Sequence, residues 1–296
     1  MHGMEQLATL GLISREAAVK KVIDPNLVDY RVQDGSLVKV YRGVYRFRGA
    51  PDSWHSRALA ATLYAGKGSA ISHFAAAYLH GLEGFKEPKA LDLLVPANVQ
   101  IRPPGVRVHR TREPFQIYRC DDVIPATSMA RTLVDLAPHV TELQLEIALS
   151  SAWRKQRTMA RWLLTYFNTL KRNDWTKLKP LIQMVHQLDD RGGLDSALEV
   201  KTTRKIASVD LPAPTRGLVI LDNFGKHLIK ADLGWKDRMV VAHVDGFAFH
   251  RPELAMVRDA RQRSELALLG WTQIIVMHRS FEEGIWLEQL RRALRR

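Results

Sequence analysis

Cysteine is almost absent from this sequence of 296 residues, since Cys120 stands alone. An intrachain disulfide is thereby excluded, as is a cysteine-rich zinc finger, and a reducing cytoplasm is the simplest setting. No apolar run is long enough for a membrane span. The opening MHGMEQLATLG lacks the basic stretch and apolar core of a secretory leader, so none is expected. Acidic residues are in deficit, with 31 Asp and Glu against 44 Lys and Arg and a net charge of +13. Internal repeats, low-complexity tracts, a phosphate loop and a dinucleotide fingerprint are also lacking.

What is there is an ordinary globular composition, 46% hydrophobic and 25% charged, in a chain long enough for two or three modest domains. The basic excess is spread along the chain. Lys and Arg outnumber Asp and Glu by 26 to 18 up to residue 190 and by 18 to 13 beyond it. Such a balance favours a polyanionic partner, most often nucleic acid.

The stretch KHLIKADLGWKDRMVVAHVDGFAFH, from Lys226 to His250, reads as two strands joined by a turn. The strands are expected at His227–Leu233 and Arg238–Val244, with Gly234–Asp237 turning between them. A carboxylate inside such a run is costly to desolvate unless it is paired or holds a metal, so Asp232 stands out. If Trp235 faces Val240, then Asp232 faces His243, with Cβ atoms ~5 Å apart on one side of the ribbon. Glu199 lies upstream on an expected helix. A helix acid, a mid-strand acid and a ligand on the next strand are the elements of a metal-dependent nuclease site.

The segments LDSALEVKTTRKI, KADLGW, VVAHVDGFAFH and VRDARQRSELALLGWTQIIVMHRSF, within about residues 192–296, resemble the Vsr-like endonuclease domain of the PD-(D/E)xK superfamily. That domain often closes actinobacterial proteins. Where the family usually reads V-E-V-D-G, this chain reads His243-Val244-Asp245-Gly246. The resemblance implies metal binding by Asp232 and Glu199, with His243 at the position of the second strand ligand. It adds Asp245 as a further acid and His250 as a general acid or base. Imidazole suits Mn²⁺ or Zn²⁺ better than Mg²⁺, so either the metal has changed or the centre has decayed. Glu199 also has a cap-like spacing from Ser196, and Asp245 before Gly246 fits a bulge. Both therefore carry structural alternatives.

At the other end, residues 4–48 read as a winged helix-turn-helix. Helices are expected at Met4–Leu10, from an N-cap at Ser14, and from Asp24 with Pro25 at its first position to Asp34-Gly35. Gly11–Ile13 is the expected turn, and Leu37–Phe47 alternates as a strand-turn-strand wing. The third helix would enter the major groove. Its candidate base readers are Asn26, Asp29, Tyr30 and Gln33, with Arg31 its one base. Lys39, Arg42, Arg46 and Arg48 are candidate phosphate contacts. With GLISREAA, GSLVKVYRGVYRF, ISHFAAAYLHGL, GVRVHRTRE and IPATSMARTLVDLA, the chain to about residue 137 resembles AbiEi-type antitoxins and transcriptional regulators.

Between these ends, helices are expected at 54–65 and 71–80, and strands at 90–95 and 106–109. Those strands are read as a hairpin lined by Arg102, Arg107, Arg110 and Arg112. His73 and His80, seven apart on one face, are read as core or capping residues rather than metal ligands. Met159, Trp162, Leu163, Tyr166, Phe167 and Leu170 form a packing stripe. The expected chain is α/β, α+β overall: a winged helix-turn-helix (1–50), a mixed α/β middle domain (51–140), a helical connector (141–190) and a restriction-endonuclease-like domain (191–296). The expected function is that of a DNA-binding, antitoxin-type transcriptional regulator with an altered metal centre; the alternative is an active metal-dependent endodeoxyribonuclease. The implied partners are double-stranded DNA and a cognate toxin protein, with Mg²⁺ or Mn²⁺ as cofactor, in the cytoplasm and off the membrane.

Overall fold

The structure is a computed structural model, and it describes residues 9–20, 25–120, 123–156, 158–168, 172–191, 197–245 and 253–295. The helix expected at Met4–Leu10 lies almost wholly outside these residues, and His250 lies outside them. The described residues combine helices and sheets in an α+β arrangement, and the chain divides into two compact units, 1–192 and 193–296.

The first unit begins with β1 (Leu12–Ser14), α1 (Arg15–Lys20), α2 (Pro25–Gln33), β2 (Leu37–Tyr41) and β3 (Val44–Phe47). Ser14 does cap, since its Oγ accepts the Ala17 N–H at 3.1 Å. The segment expected to turn at Gly11–Ile13 instead contributes a strand. Leu12 pairs with Arg46, and β2 pairs on the other side of β3. The reason is burial on both sides: Leu12 joins the core around Trp54, while Ile13 packs with Ala18, Val28 and Leu37. The left-handed Gly11 (φ +71°) makes the sharp entry into β1.

The chain continues through α3 (Trp54–Ala65), β4 (Ala70–Ile71), α4 (His73–Leu79), β5 (Leu91–Pro96), β6 (Val106–Thr111), β7 (Ile117–Cys120), β8 (Ile124–Thr127), α5 (Met129–Leu136), α6 (Glu142–Lys155), α7 (Met159–Phe167) and α8 (Arg172–Arg191). The five strands order β6-β5-β4-β8-β7. β5 is a near-continuous apolar run, as suits a strand covered on both faces. It pairs with β6 in parallel, Leu91 facing Val106, so the expected hairpin is corrected. Pro103-Pro104-Gly105 ends a return connection, and the nearby arginines do not line a ribbon. Leu12 and Val44 share one core with Trp54, Leu59, Ile71, Leu93 and Ile124.

The second unit contains α9 (Ala197–Ala207), β9 (Thr215–Leu221), β10 (His227–Trp235), β11 (Val240–Asp245), α10 (Glu253–Leu268), β12 (Thr272–Met277), α11 (His278–Glu283) and α12 (Ile285–Leu294). Its sheet runs β12-β11-β10-β9, with only β11 and β12 parallel. The strand β10 carries on through Gly234 and Trp235. The turn is a single 3₁₀ turn at Lys236–Arg238 closed by a left-handed Met239. Gly234 is fixed by contact, because a Cβ there would lie 2.3 Å from Leu218 Cδ2 on β9. The two sheet faces are distinct. Leu233, Trp235, Val240 and Ala242 pack with Leu198 and Ile206 of α9 and Trp286 of α12, whereas Val241 packs with Leu266 of α10. Ser280 caps from the third position of α11, accepting the Met277 N–H at 2.9 Å, and Glu283 pairs with Arg279.

Candidate functional site

The hairpin of the second unit adopts the register the sequence pointed to, with Trp235 opposite Val240 and Leu233 opposite Ala242. One step further along the same ladder stand Asp232 and His243. Period-two alternation turns both toward α10, away from the face that packs on α9. His243 Nδ1 lies 4.0 Å from Asp232 Oδ2, with side-chain exposures of 19% and 35%. The same Oδ2 accepts the Val244 N–H at 2.8 Å. Asp232 therefore stands in for a backbone acceptor at the end of the pairing, which gives the carboxylate a structural reason as well as a chemical one.

Asp232 and His243 open into a cavity of about 250 Å³, shared with Lys230, Gln262, Arg263 and Gln273. Lys230 and Arg263 are exposed, so the wall carries two cations beside one carboxylate. Glu199 is not part of it. It rides on α9, whose buried residues pack on the opposite face of the sheet. The strand alternation that joins Asp232 to His243 thus removes Glu199 from their company. Among the described residues no three His, Cys, Asp or Glu side chains gather closely enough to hold a metal ion. The ligand set Asp232, Glu199 and His243 is therefore corrected to a pair, Asp232 and His243. Two donors, one of whose oxygens is already bonded to Val244, do not by themselves fit a firmly held Mg²⁺ or Mn²⁺. Asp245 ends β11, but its side chain and His250 lie outside the described residues.

The second candidate surface is on the first unit. Val28 and Val32 of α2 turn inward, leaving Asn26, Asp29, Tyr30 and Gln33 on the outer face. Tyr30 is 62% exposed. Asp29 is held by Arg15 in an ion pair. Arg31 is half-buried, and its carbonyl accepts from Ser36 Oγ at 3.2 Å. On the following strands, Lys39 and Arg42 are exposed. The exposed Arg48 lays its guanidinium over Gly35. Arg46 differs from the expectation: its guanidinium is half-buried and bonded to Asp52 at 2.6 Å. It is a structural arginine here, because β3 is the central strand of its sheet and its side chains are covered.

The structure also assembles a polar cluster that the residue patterns did not single out. Asp92, almost fully buried in β5, bonds His109 Nε2 at 2.9 Å and Arg107 at 3.2 Å. The His109 ring stacks on His73, centroids 3.7 Å apart. Burial, helped by His109, pushes His73 down to about 3. On α5, Arg131 bonds Asp135 at 2.8 Å, yet burial still pushes Asp135 up to about 6. Tyr166 donates to Glu113 at 2.9 Å, and burial and that bond push it up to about 12. The available signal was the one that marked Asp232: an acid inside an apolar run, as in LDLLV and TLVDL. His80 stays apart, donating to the Thr127 carbonyl at 2.7 Å, so His73 and His80 do not meet.

Comparison with known proteins gives two relatives at 25% identity over 252 residues, 84% of this chain and 89% of theirs. They are the uncharacterized proteins Rv2248 and MT2308 of two Mycobacterium tuberculosis strains. No family model matches the chain. Among solved structures, the RV2827C protein of M. tuberculosis aligns over 71% of this chain and 83% of its own, with a TM-score of 0.40 and 13% identity. No helix among the described residues is long and apolar enough to cross a membrane.

Proposed function

We propose that this protein binds double-stranded DNA as a transcriptional regulator of the antitoxin type, acting in the cytoplasm and paired with a cognate toxin protein. The observation that carries the reading is the outer face of α2. Asn26, Tyr30 and Gln33 stand exposed on one helical stripe, and the β2–β3 pair beside it presents Lys39, Arg42 and Arg48. A helix of this kind reads base edges, and the flanking cations grip phosphate. The net charge of +13 supplies the long-range attraction. A gel shift on the DNA upstream of the protein's own gene tests it. Specific binding that weakens at least tenfold in the Lys39→Ala/Arg42→Ala variant, and changes sequence preference in Tyr30→Ala, supports the proposal. Binding indifferent to all three changes overturns it.

A second reading, a metal-dependent endonuclease, is favoured by the cavity in which Asp232 and His243 meet beside Lys230 and Arg263. A divalent metal would supply an activated water and charge stabilisation at phosphate. In this chain Asp232 and His243 would supply two of its ligands and fall short of holding it by themselves, and the two cations would orient the strand. The test is plasmid nicking with Mg²⁺ and then Mn²⁺, comparing the wild type with Asp232→Asn. A gain of cleavage in His243→Glu would identify a centre that has lost one ligand. Absence of nicking in every protein with every metal removes this reading.

A further inference from the structure

The polar cluster of the first unit opens into a cavity of about 380 Å³ that neither reading above uses. Its walls come from α4, the segment after β6, α5, α7 and α8. The residues that matter are His73, Arg112, Glu113, Asp135, Tyr166 and Lys177. The acids are partly answered from within the protein, although Asp135 Oδ2 is buried without a hydrogen-bond partner among the described residues. Arg131 lies 2.8 Å from Asp135 and 3.8 Å from Glu113, and Tyr166 donates to Glu113. The cations at the rim are not. Arg112 and Lys177 are exposed and make no ion pair among the described residues.

A second feature points inward. His73 is only 7% exposed, and its ring is clamped by the stack on His109, which Asp92 anchors. Its Nδ1 bonds Ser72 Oγ at 3.0 Å. Its Nε2 has no partner among the described residues, although the side chain lines the cavity. Burial keeps the ring neutral, so Nε2 offers a hydrogen bond rather than a charge, as donor or acceptor according to tautomer. This nitrogen is not sealed off in the core but reaches the open space of the cavity, where a ligand atom can meet it.

We propose that this cavity binds a small organic phosphate of nucleotide size. The phosphate sits between Arg112 and Lys177 at the rim, and the organic part reaches His73 Nε2. Two cations on separate elements suit a dianion. The volume falls in the range of small-molecule sites and far exceeds what a phosphate alone would fill. The proposal is independent of the DNA-binding face, which lies on α2 and β2–β3.

The experiment is calorimetric titration of the full chain with AMP, GMP, CMP, UMP, ribose 5-phosphate and inorganic phosphate. At least one organic phosphate is expected to bind ten times more tightly than inorganic phosphate. Arg112→Gln/Lys177→Gln, at exposed positions where folding is not at stake, should weaken it tenfold or more. His73→Asn should weaken the organic phosphate and leave inorganic phosphate unchanged. Absence of binding by all six probes at millimolar concentration overturns the proposal. So does binding that is indifferent to the double variant, or binding by inorganic phosphate as tight as by any of the others.

Discussion

Acidification should unfold this protein partly through one histidine. His73 sits at about 3 in the folded state against an ordinary 6.5, because burial and the neighbouring His109 oppose its charge. The unfolded chain therefore binds a proton between pH 6.5 and 3 that the folded chain refuses. The stability tied to this group is present above pH 6.5 and is lost as pH falls through that window. From pH 7 to pH 5 the loss is about 2 kcal/mol, at roughly 1.4 kcal/mol for each pH step below the unfolded value. Asp135 works in the opposite direction, since its folded value of about 6 lies above 3.8 and favours the folded state as pH falls. The informative quantity is therefore the difference from a variant that keeps Asp135. His73→Asn serves, because Asn accepts the left-handed backbone at this position (φ +48°). Urea unfolding of both proteins at pH 7 and pH 5 gives the comparison. The wild type should lose about 2 kcal/mol more than the variant. A difference under about 0.5 kcal/mol would refute the link between burial of His73 and acid sensitivity.

Other outcomes follow from single interactions. Gly234→Ala drives a methyl into Leu218, 2.3 Å from its Cδ2 and 2.8 Å from its Cβ, and should cost about 1–3 kcal/mol in thermal or urea unfolding. Asp232→Ala removes the acceptor of the Val244 N–H and should cost about 1–3 kcal/mol, whereas Asp232→Asn, which keeps an acceptor oxygen, should cost distinctly less. Equal losses in the two would show that the bond to Val244 is not what the carboxylate contributes. For DNA, Lys39→Ala/Arg42→Ala should flatten the dependence of log affinity on log salt by about 2, near 0.9 for each phosphate that is no longer neutralised. An unchanged slope in filter binding would remove those two residues from the phosphate surface.

Much of the local structure was written in residue patterns. The helix expected at 54–65 is present as Trp54–Ala65, and the structure adds its cap at Ser53. Pro25 opens α2, and Arg42-Gly43 turns the strand pair that follows. The register of β10 and β11 was legible because apolar residues alternate on both strands, and a slip of one residue would put Leu233 and Trp235 on the wrong face. What failed were pairings between distant segments. Residue patterns do not single out β9 and suggest a hairpin for the parallel pair β5–β6, because neither strand direction nor partner choice is carried by local composition.

The candidate site divides along the same line. Composition and periodicity by themselves determined a basic, cysteine-poor α+β chain, the exposed stripe of α2 and the meeting of Asp232 with His243. Tertiary structure alone decided that Glu199 lies across the sheet from that pair and that Arg46 serves Asp52. It alone decided that His73, Asp92, His109 and Asp135, carried by α4, β5, β6 and α5, come together beside one cavity. The physical reason is range. A helix face or a strand ladder is set by neighbours a few residues apart, whereas the side of a sheet that a helix covers, and the acid that a buried arginine finds, are set by how the whole core closes.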